Sequence, residues 1–491
     1  MQTETRSSPN TPNRPELMAP AGSLKAAFAA IRNGADAVYC GLKSFSARAE
    51  APNLTLEELN RLLTYAHGVS PPRRVYITFN TLIQNREWPR AAAVLDEIAA
   101  AGADALIVQD FGVLRFARTH FPCLRLHAST QMAVHNREGV EAAAALGIKR
   151  VTLARELTLE EIAEAATVPN VEVEAFVHGA LCCSYSGLCL LSSHMNGRSG
   201  NRGRCAYGCR APYIRPGSAS TQPSFLFSMK DFAAADCIPE LRRTGVHSLK
   251  IEGRMKSPLY VAAVTRFYRS LLDNNLSPDE RRERESDIRT LFNRPWTDLY
   301  LRRRANRDVI EPRMLGHAGL PVGRVQAVRA TADGKRRLRF ETTHPVERHD
   351  GLQIRPGGRR PPFGFAAAEL VLLPVDPTGK PRPVPSAPAG SVVEVGLPED
   401  APDIPPGSEI ACVFSLAVQR KYRIDPPEIS PTDIGAPIDI SVRLAADGIA
   451  ATATATDGAG RRTAASTRIA TELPNARKPE AVRDAVTRAF S

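Results

Sequence analysis

What this 491-residue chain lacks narrows its class before any motif is read. No uninterrupted apolar run approaches the ~18 residues that a membrane-spanning helix needs. The nearest stretch, Ala91–Val108, is broken by Asp96, Glu97 and Asp104. The opening residues, MQTETRSSPNTPNRPE, hold no apolar segment, so residues 1–14 read as a disordered leader and not as a secretion signal. The expected location is the cytoplasm. Neither HExxH nor GxSxG occurs, which removes two common hydrolase signatures. No Gly-rich phosphate fingerprint follows the first strand-like run. Cysteines number nine, an odd count that without a signal peptide argues against a disulfide framework.

What is present describes a soluble globular protein of more than one domain, with 43% hydrophobic and 24% charged residues. Lys plus Arg exceeds Asp plus Glu by 64 to 52, a charge of +12. Such a surplus permits attraction to a polyanion without establishing it. Over residues 15–272, β-rich runs alternate with helical stretches that begin at Ser, Thr or Asn and often end in Gly. The runs cover residues 16–22, 36–41, 74–81, 104–110, 124–130, 150–156, 171–179 and 247–253. Eight such runs predict an α/β fold, a parallel (β/α) barrel of the TIM type, with a doubly wound open sheet as the alternative.

In a barrel, chemistry belongs at the C-terminal ends of the strands. Those ends supply Cys40, Asn80, Gln109, Asp110, His127, Ser129, Gln131, Arg155, Glu156, His178, Lys250, Glu252 and Arg254. Any one of them is an ordinary loop or capping residue; their repeated arrival at one end is the signal. A long segment, residues 180–244, interrupts the pattern before the last strand, and loops of this length usually carry function. Residues 273–311 read as a helical basic linker that includes Arg302–Arg304. Residues 312–425 alternate as a small all-β accessory domain does, and 426–491 as a partial β unit closed by the helix PEAVRDAVTRAF.

Five of the nine cysteines fall within Cys182–Cys209. Cys182 and Cys189 are separated by six residues, Cys189 and Cys205 by fifteen, and Cys205 and Cys209 by three. Four thiolates can hold structural zinc or an iron–sulfur cluster. Zinc ribbons usually use two CxxC knuckles, absent here, so the irregular spacing favours a cluster. Glycines at 187, 197, 200, 203 and 208 would let the backbone wrap closely around an inorganic core.

The run EAFVHGALCCSYSGLCLLS (174–192) resembles the signature of the collagenase-like peptidase family U32. It is met by Glu174, Phe176, Gly179, Ala180, Leu181, Cys182, Gly187, Cys189, Leu191 and Ser192. Further blocks of similar character are MAPAGSLKAAFAAIRNGADAVYCG (18–41), VTLARELTLEEI (151–162), NGRSGNRGRCAYGCR (196–210) and SLKIEGRMKSPLYV (248–261). GHAGLPVGRV (316–325) looks like the start of the accessory domain of longer members that hydroxylate ribosomal RNA. The resemblance implies an enzyme that hydroxylates a pyrimidine of ribosomal or transfer RNA without molecular oxygen. It also implies a 4Fe-4S cluster, reliance on iron–sulfur assembly machinery, and prephenate as co-substrate. The cluster ligands carried across are Cys182, Cys189 and Cys205, with Cys209 as the fourth and Cys237 as its rival; Cys183 reads as a packed thiol. The tail stops soon after a second β unit begins, whereas the longer members continue.

Two other readings stand beside this one, proteolysis and electron delivery as an accessory protein in ubiquinone synthesis. A protease would have to pair Cys182 with His178. For RNA, the candidate backbone contacts are Arg198, Arg202, Arg204, Arg210 and Arg302–Arg304, with Tyr185, Tyr207 and Tyr213 as stacking groups. His178 is a candidate proton carrier and Lys250 and Glu252 are candidate catalytic groups. Arg155, Arg202, Arg204 and Arg254 are candidate substrate contacts, with Lys250 or Arg254 binding a carboxylate.

Overall fold

The computed structural model describes residues 14–217, 222–331, 334–357, 361–374, 379–422, 424–426, 438–445, 448–456 and 462–470. The expected leader (but for Arg14) and closing helix lie outside them. The chain divides into two units, Met1–Pro427 and Glu428–Ser491.

The first unit opens with β1 (Glu16–Ala21), β2 (Ala37–Gly41), β3 (Arg74–Phe79), β4 (Ala105–Val108), β5 (Arg125–Ala128), β6 (Arg150–Thr152) and β7 (Glu172–Ala180). After β8 (Asp231–Ala233) comes β9 (Ser248–Ile251). Strands β1 to β7 pair in parallel in sequence order, and β9 pairs in parallel with both β7 and β1. The sheet therefore closes on itself with eight parallel strands, and the open alternative is excluded. Every residue of β2 and β4 is buried, as expected of parallel strands covered on both faces.

The helices begin where side chains can satisfy their free N–H groups. Thr55 and Thr158 form capping boxes with Glu58 and Glu161, and Ser23, Asp110 and Asn136 cap alone. Met18, Ala37, Tyr39, Tyr76, Ala105 and Ile107 cluster as one core group of the barrel. Towards the strands' N-terminal ends, Arg150 contacts Glu16 at 2.5 Å, Glu172 at 2.7 Å and Glu174 at 3.6 Å.

Residues 181–247 connect β7 to β9 through a short helix, Leu191–Asn196, and several single helical turns. Within them β8 runs antiparallel to the end of β7, pairing Ala180 with Asp231, and β10 (Trp296–Thr297) extends the sheet beyond it. A three-residue strand is too short to show a period, so the sequence did not announce it. The helix Pro278–Arg289 follows, capped by Ser277 with Glu280. In the basic run, Arg302 lies 3.7 Å from Glu240 and Arg304 pairs with Glu161, so both guanidiniums have protein partners.

Between Leu320 and Phe414 an eight-stranded antiparallel sheet packs around a core that includes Leu338, Phe340, Leu352, Val393, Val395 and Ile410. His317 holds it to the preceding helix: Nε2 lies 3.3 Å from the carbonyl of Thr290 and 3.2 Å from that of Val413. The second unit is a three-stranded antiparallel sheet, Ile438–Ala445, Gly448–Thr456 and Arg462–Ala470. Among the described residues no helix is long and apolar enough to cross a membrane.

Phe340 is wholly buried at the centre of the antiparallel core. Phe340→Ala should cost about 3–5 kcal/mol of that region's stability. Denaturant unfolding checks this, and an unchanged midpoint would contradict the assigned packing.

Candidate functional site

The C-terminal ends of the barrel strands surround a cavity of about 170 Å3. Tyr39, Thr78, Asn80, Ser129, Gln131 and Arg155 approach it from the earlier strands and the loops that follow them, and Phe176 from β7. Lys250, Glu252 and Arg254 come from β9 and the turn after it, and Arg48 from the loop after β2. The segment after β7 supplies Cys182, Tyr185, Cys189 and Cys205. Cations thus outnumber carboxylates around the cavity.

These charges are held by specific partners. Lys250 Nζ lies 3.0 Å from Glu174 Oε1 and 4.5 Å from the centre of the Tyr39 ring. Glu174 also accepts from Thr152 at 2.8 Å and Ser248 at 3.1 Å. Burial pushes the Glu174 carboxyl up, but Lys250 and Arg150 prevail and hold it below the usual range. Glu252 follows the same logic. Burial opposes its charge, Arg48 and Arg254 outweigh burial, and the carboxyl ends below its ordinary value. Its Oε1 accepts from Arg48 at 3.1 Å and its Oε2 from the Tyr39 hydroxyl at 3.1 Å.

Arg254 is almost fully buried and donates to Ser46 at 2.7 Å and Thr78 at 3.0 Å. Gly41 makes the room: a Cβ there would sit 2.5 Å from Arg254 Nη1. The cysteine-bearing segment docks on the rim in the same manner. Gly187 and Gly203 have φ of +79° and +76°, and a Cβ on either would strike the carbonyl of Gln131 or Ser46 at 2.3 or 2.4 Å. These two glycines let the segment lie against barrel loops, a role different from the wrapping of an inorganic core expected from the sequence.

All nine cysteines are free thiols. Cys182, Cys189 and Cys205 share the cavity lining. Cys209 is linked to Cys182 through Cys183, whose thiol hydrogen-bonds both. Those bonds lower the Cys182 thiol, with Arg155 and Arg48 helping against burial, and lower Cys209, with Arg210 helping. Cys183 is pushed up in return and stands exposed, so it is not the packed thiol expected. Cys205 receives hydrogen bonds from Ser192 Oγ at 3.8 Å and Tyr207 N at 3.4 Å. Cys237 is wholly buried beside Tyr268 and absent from the cavity, and burial lifts its thiol to about 11.

Among the described residues no three His, Cys, Asp or Glu side chains converge as a single metal ion requires. That counts against mononuclear zinc. A cluster holds its thiolates further apart around its own core, and a cavity lined by three thiols with a fourth nearby fits that donor set.

The remaining expectations divide. Arg155 lines the cavity, with Nε 3.2 Å from Ser186 Oγ. Arg202 does not: it makes a two-pronged pair with Glu87 at 2.9 and 2.7 Å. Arg198 pairs with Glu50, Arg210 donates to Leu181 and Met229 carbonyls, and Arg204 is exposed. Of the tyrosines, Tyr185 lines the cavity, Tyr207 is exposed, and Tyr213 donates to the Gly208 carbonyl at 2.8 Å. Asp110 is a helix cap, and His127 lies buried inside the barrel against Tyr76.

His178 is the main correction. Its ring is buried among Tyr260, Tyr268 and Trp296, with Nδ1 3.2 Å from the Tyr268 hydroxyl, and does not line the cavity. It packs the barrel wall and is neither a proton carrier at the mouth nor a base for Cys182. Sequence reading missed Arg48 and Tyr39. Arg48 stands in an irregular loop with no periodicity to single it out, and Tyr39 reads as core.

The family model of Peptidase family U32 matches residues 22–311. The chain is 35% identical over 355 residues to "23S rRNA 5-hydroxycytidine C2501 synthase" of Escherichia coli, covering 70% of this chain and 52% of that protein. It is 37% identical over 311 residues to "tRNA hydroxylation protein P" of Helicobacter pylori, covering 60% and 72%. To "Collagenase" of Porphyromonas gingivalis it is 32% identical over 306 residues, covering 58% and 73%. The chain thus spans about half the length of the first of these relatives.

Glu174→Gln would leave Lys250 and Arg150 short of a buried counter-charge and should lower stability by about 3–5 kcal/mol. Thermal unfolding checks it, and a cost below about 1 kcal/mol would refute the pairing. Burial lowers the His178 imidazole from 6.5 to about 4. The unfolded chain therefore binds a proton that the folded one refuses between those values. Stability should be full above pH 6.5 and fall as pH drops towards 4, by up to about 3 kcal/mol. His178→Phe should flatten that slope in a pH series of unfolding curves, and an unchanged slope would contradict the assignment.

Proposed function

The chain belongs to peptidase family U32, and from that premise we propose that it is an RNA-modifying enzyme that hydroxylates a pyrimidine of ribosomal or transfer RNA. The observation that carries the reading is the cavity at the barrel mouth, where three thiols share one wall with Arg48, Arg155, Lys250 and Arg254. A thiol-rich, cation-lined recess suits redox chemistry on an anionic ligand better than cleavage of a protein chain. The names of the ribosomal and transfer RNA relatives support the same choice.

Hydroxylation at carbon removes two electrons from the base and adds one oxygen atom. An electron acceptor and an oxygen source must therefore reach the same recess. A 4Fe-4S cluster held by Cys182, Cys189, Cys205 and Cys209 would supply electron transfer there. The positive lining would hold an anionic co-substrate, prephenate in this reading, through its carboxylates. Arg48 and Arg254 have the geometry for it, since both stay charged and already fix one carboxylate, Glu252. Lys250 and Glu252 orient the lining. A single-stranded, splayed base is the form of RNA that such a recess admits.

Proteolysis is the second reading, and the relative named "Collagenase" favours it. It needs a nucleophile with a base in reach. Cys182 has no imidazole beside it, because His178 is spent on Tyr268 inside the wall. The proteolytic reading therefore lacks its central pair.

Mass spectrometry of RNA from a deletion strain should show loss of one oxygen-atom increment on a pyrimidine. The full chain should restore it, and Cys205→Ala should not. Anaerobically purified protein should carry about four irons per chain. An unchanged RNA spectrum, or gelatin cleavage by the clean protein that a Cys182 change abolishes, would overturn the reading.

A further inference from the structure

The wall that carries Cys182 has a second side. Against it lies a larger cavity of about 670 Å3, which shares Arg155, Cys182 and Tyr185 with the first. Its lining is apolar and aromatic, formed by Tyr185, Leu188, Phe227 and Tyr300 with Leu157 and Met229. Tyr185 is 67% and Phe227 47% exposed. Uncovered aromatic surface inside a concavity marks a place where a flat ligand stacks.

One polar atom in this lining has nothing to bind. Glu156 lines the cavity. Its Oε1 accepts from Ser186 N at 3.1 Å and Ser186 Oγ at 3.4 Å, while its Oε2 is buried without a donor. A buried acceptor left unmatched is costly, so its complement is an N–H group carried on an apolar, planar body. Arg155 stands in the wall between the two cavities. Its Nε is occupied by Ser186, and its two Nη groups make no hydrogen bond among the described residues. They are placed for a phosphate that joins a group in one cavity to a group in the other.

We propose that the second cavity is a subsite for the nucleotide next to the reacting pyrimidine, and that Glu156 Oε2 selects a base with an exocyclic amine over uracil. The inference rests on the RNA reading of the first cavity. A carboxylate oxygen accepts from the amine of adenine, cytosine or guanine, as acidic side chains do from cytosine in nucleic-acid grooves. Uracil offers only an N–H flanked by two carbonyl oxygens, which the carboxylate repels. Tyr185 belongs to both linings and would separate the two bases.

The test titrates the full chain with single-stranded pentaribonucleotides that carry a central pyrimidine. The base beside it, on either side, is adenine, cytosine, guanine, uracil or unsubstituted purine. On one side the amine-bearing bases should bind about tenfold more tightly than uracil. Purine in place of adenine should lose the same factor, and E156Q, whose amide both donates and accepts, should erase the difference. The purine comparison uses the unaltered protein, so it decides even if E156Q fails to fold. Equal affinity for adenine and purine overturns the subsite. RNA bound without any flanking preference sinks the subsite and leaves the RNA reading standing, whereas no binding by any oligonucleotide sinks both.

Discussion

Compensation of buried positive charge is the constraint on which the barrel mouth depends. Lys250 and Arg254 are nearly inaccessible to water, and Arg48 reaches into the same space. A bare cation in such a place would be driven to shed its proton or to pull water in. Glu174 prevents this from beneath Lys250, and Glu252 does so between Arg48 and Arg254. Ion pairs at the surface contribute little, but the loss of one partner from a buried pair is severe. Two carboxylates thereby fix several cations, and the arrangement still leaves a positive excess facing the cavity.

The cysteines are positioned by a different means. Their segment leaves the longest barrel strand, is pinned where β8 pairs with the end of β7, and then lies across the rim. Contact with the rim depends on backbone approaching backbone at Gly187 and Gly203. Side chains add to it: Ser186 binds both Arg155 and Glu156, and Arg202 reaches Glu87. The segment is irregular in conformation and still tightly specified in place.

The barrel was legible because its strands are bounded by caps and glycines and are apolar almost throughout, as in β2 and β4. The recess was partly legible for the same reason. Asn80, Ser129, Gln131, Arg155, Lys250, Glu252 and Arg254 all follow from knowing where strands end. His178 shows the limit of that rule. It stands on β7 only a few residues before Cys182, yet its side chain turns into the wall, and alternation along a strand interrupted by a register shift does not reveal which way it faces. Arg48 shows the opposite failure, since an irregular loop carries no period and its partner lies 204 residues away. Pairings at such separations are properties of the closed fold. No local window of sequence holds them.

The closeness of Gly41 to Arg254 has an evolutionary corollary. While the guanidinium occupies its hole, position 41 admits no side chain, because even a methyl group would overlap it. A descendant that exchanges the arginine for a smaller residue releases that restriction, and position 41 can then drift. The two changes therefore have a permitted order, arginine before glycine, and a lineage that tries them in reverse passes through a protein unable to close its barrel around the charge.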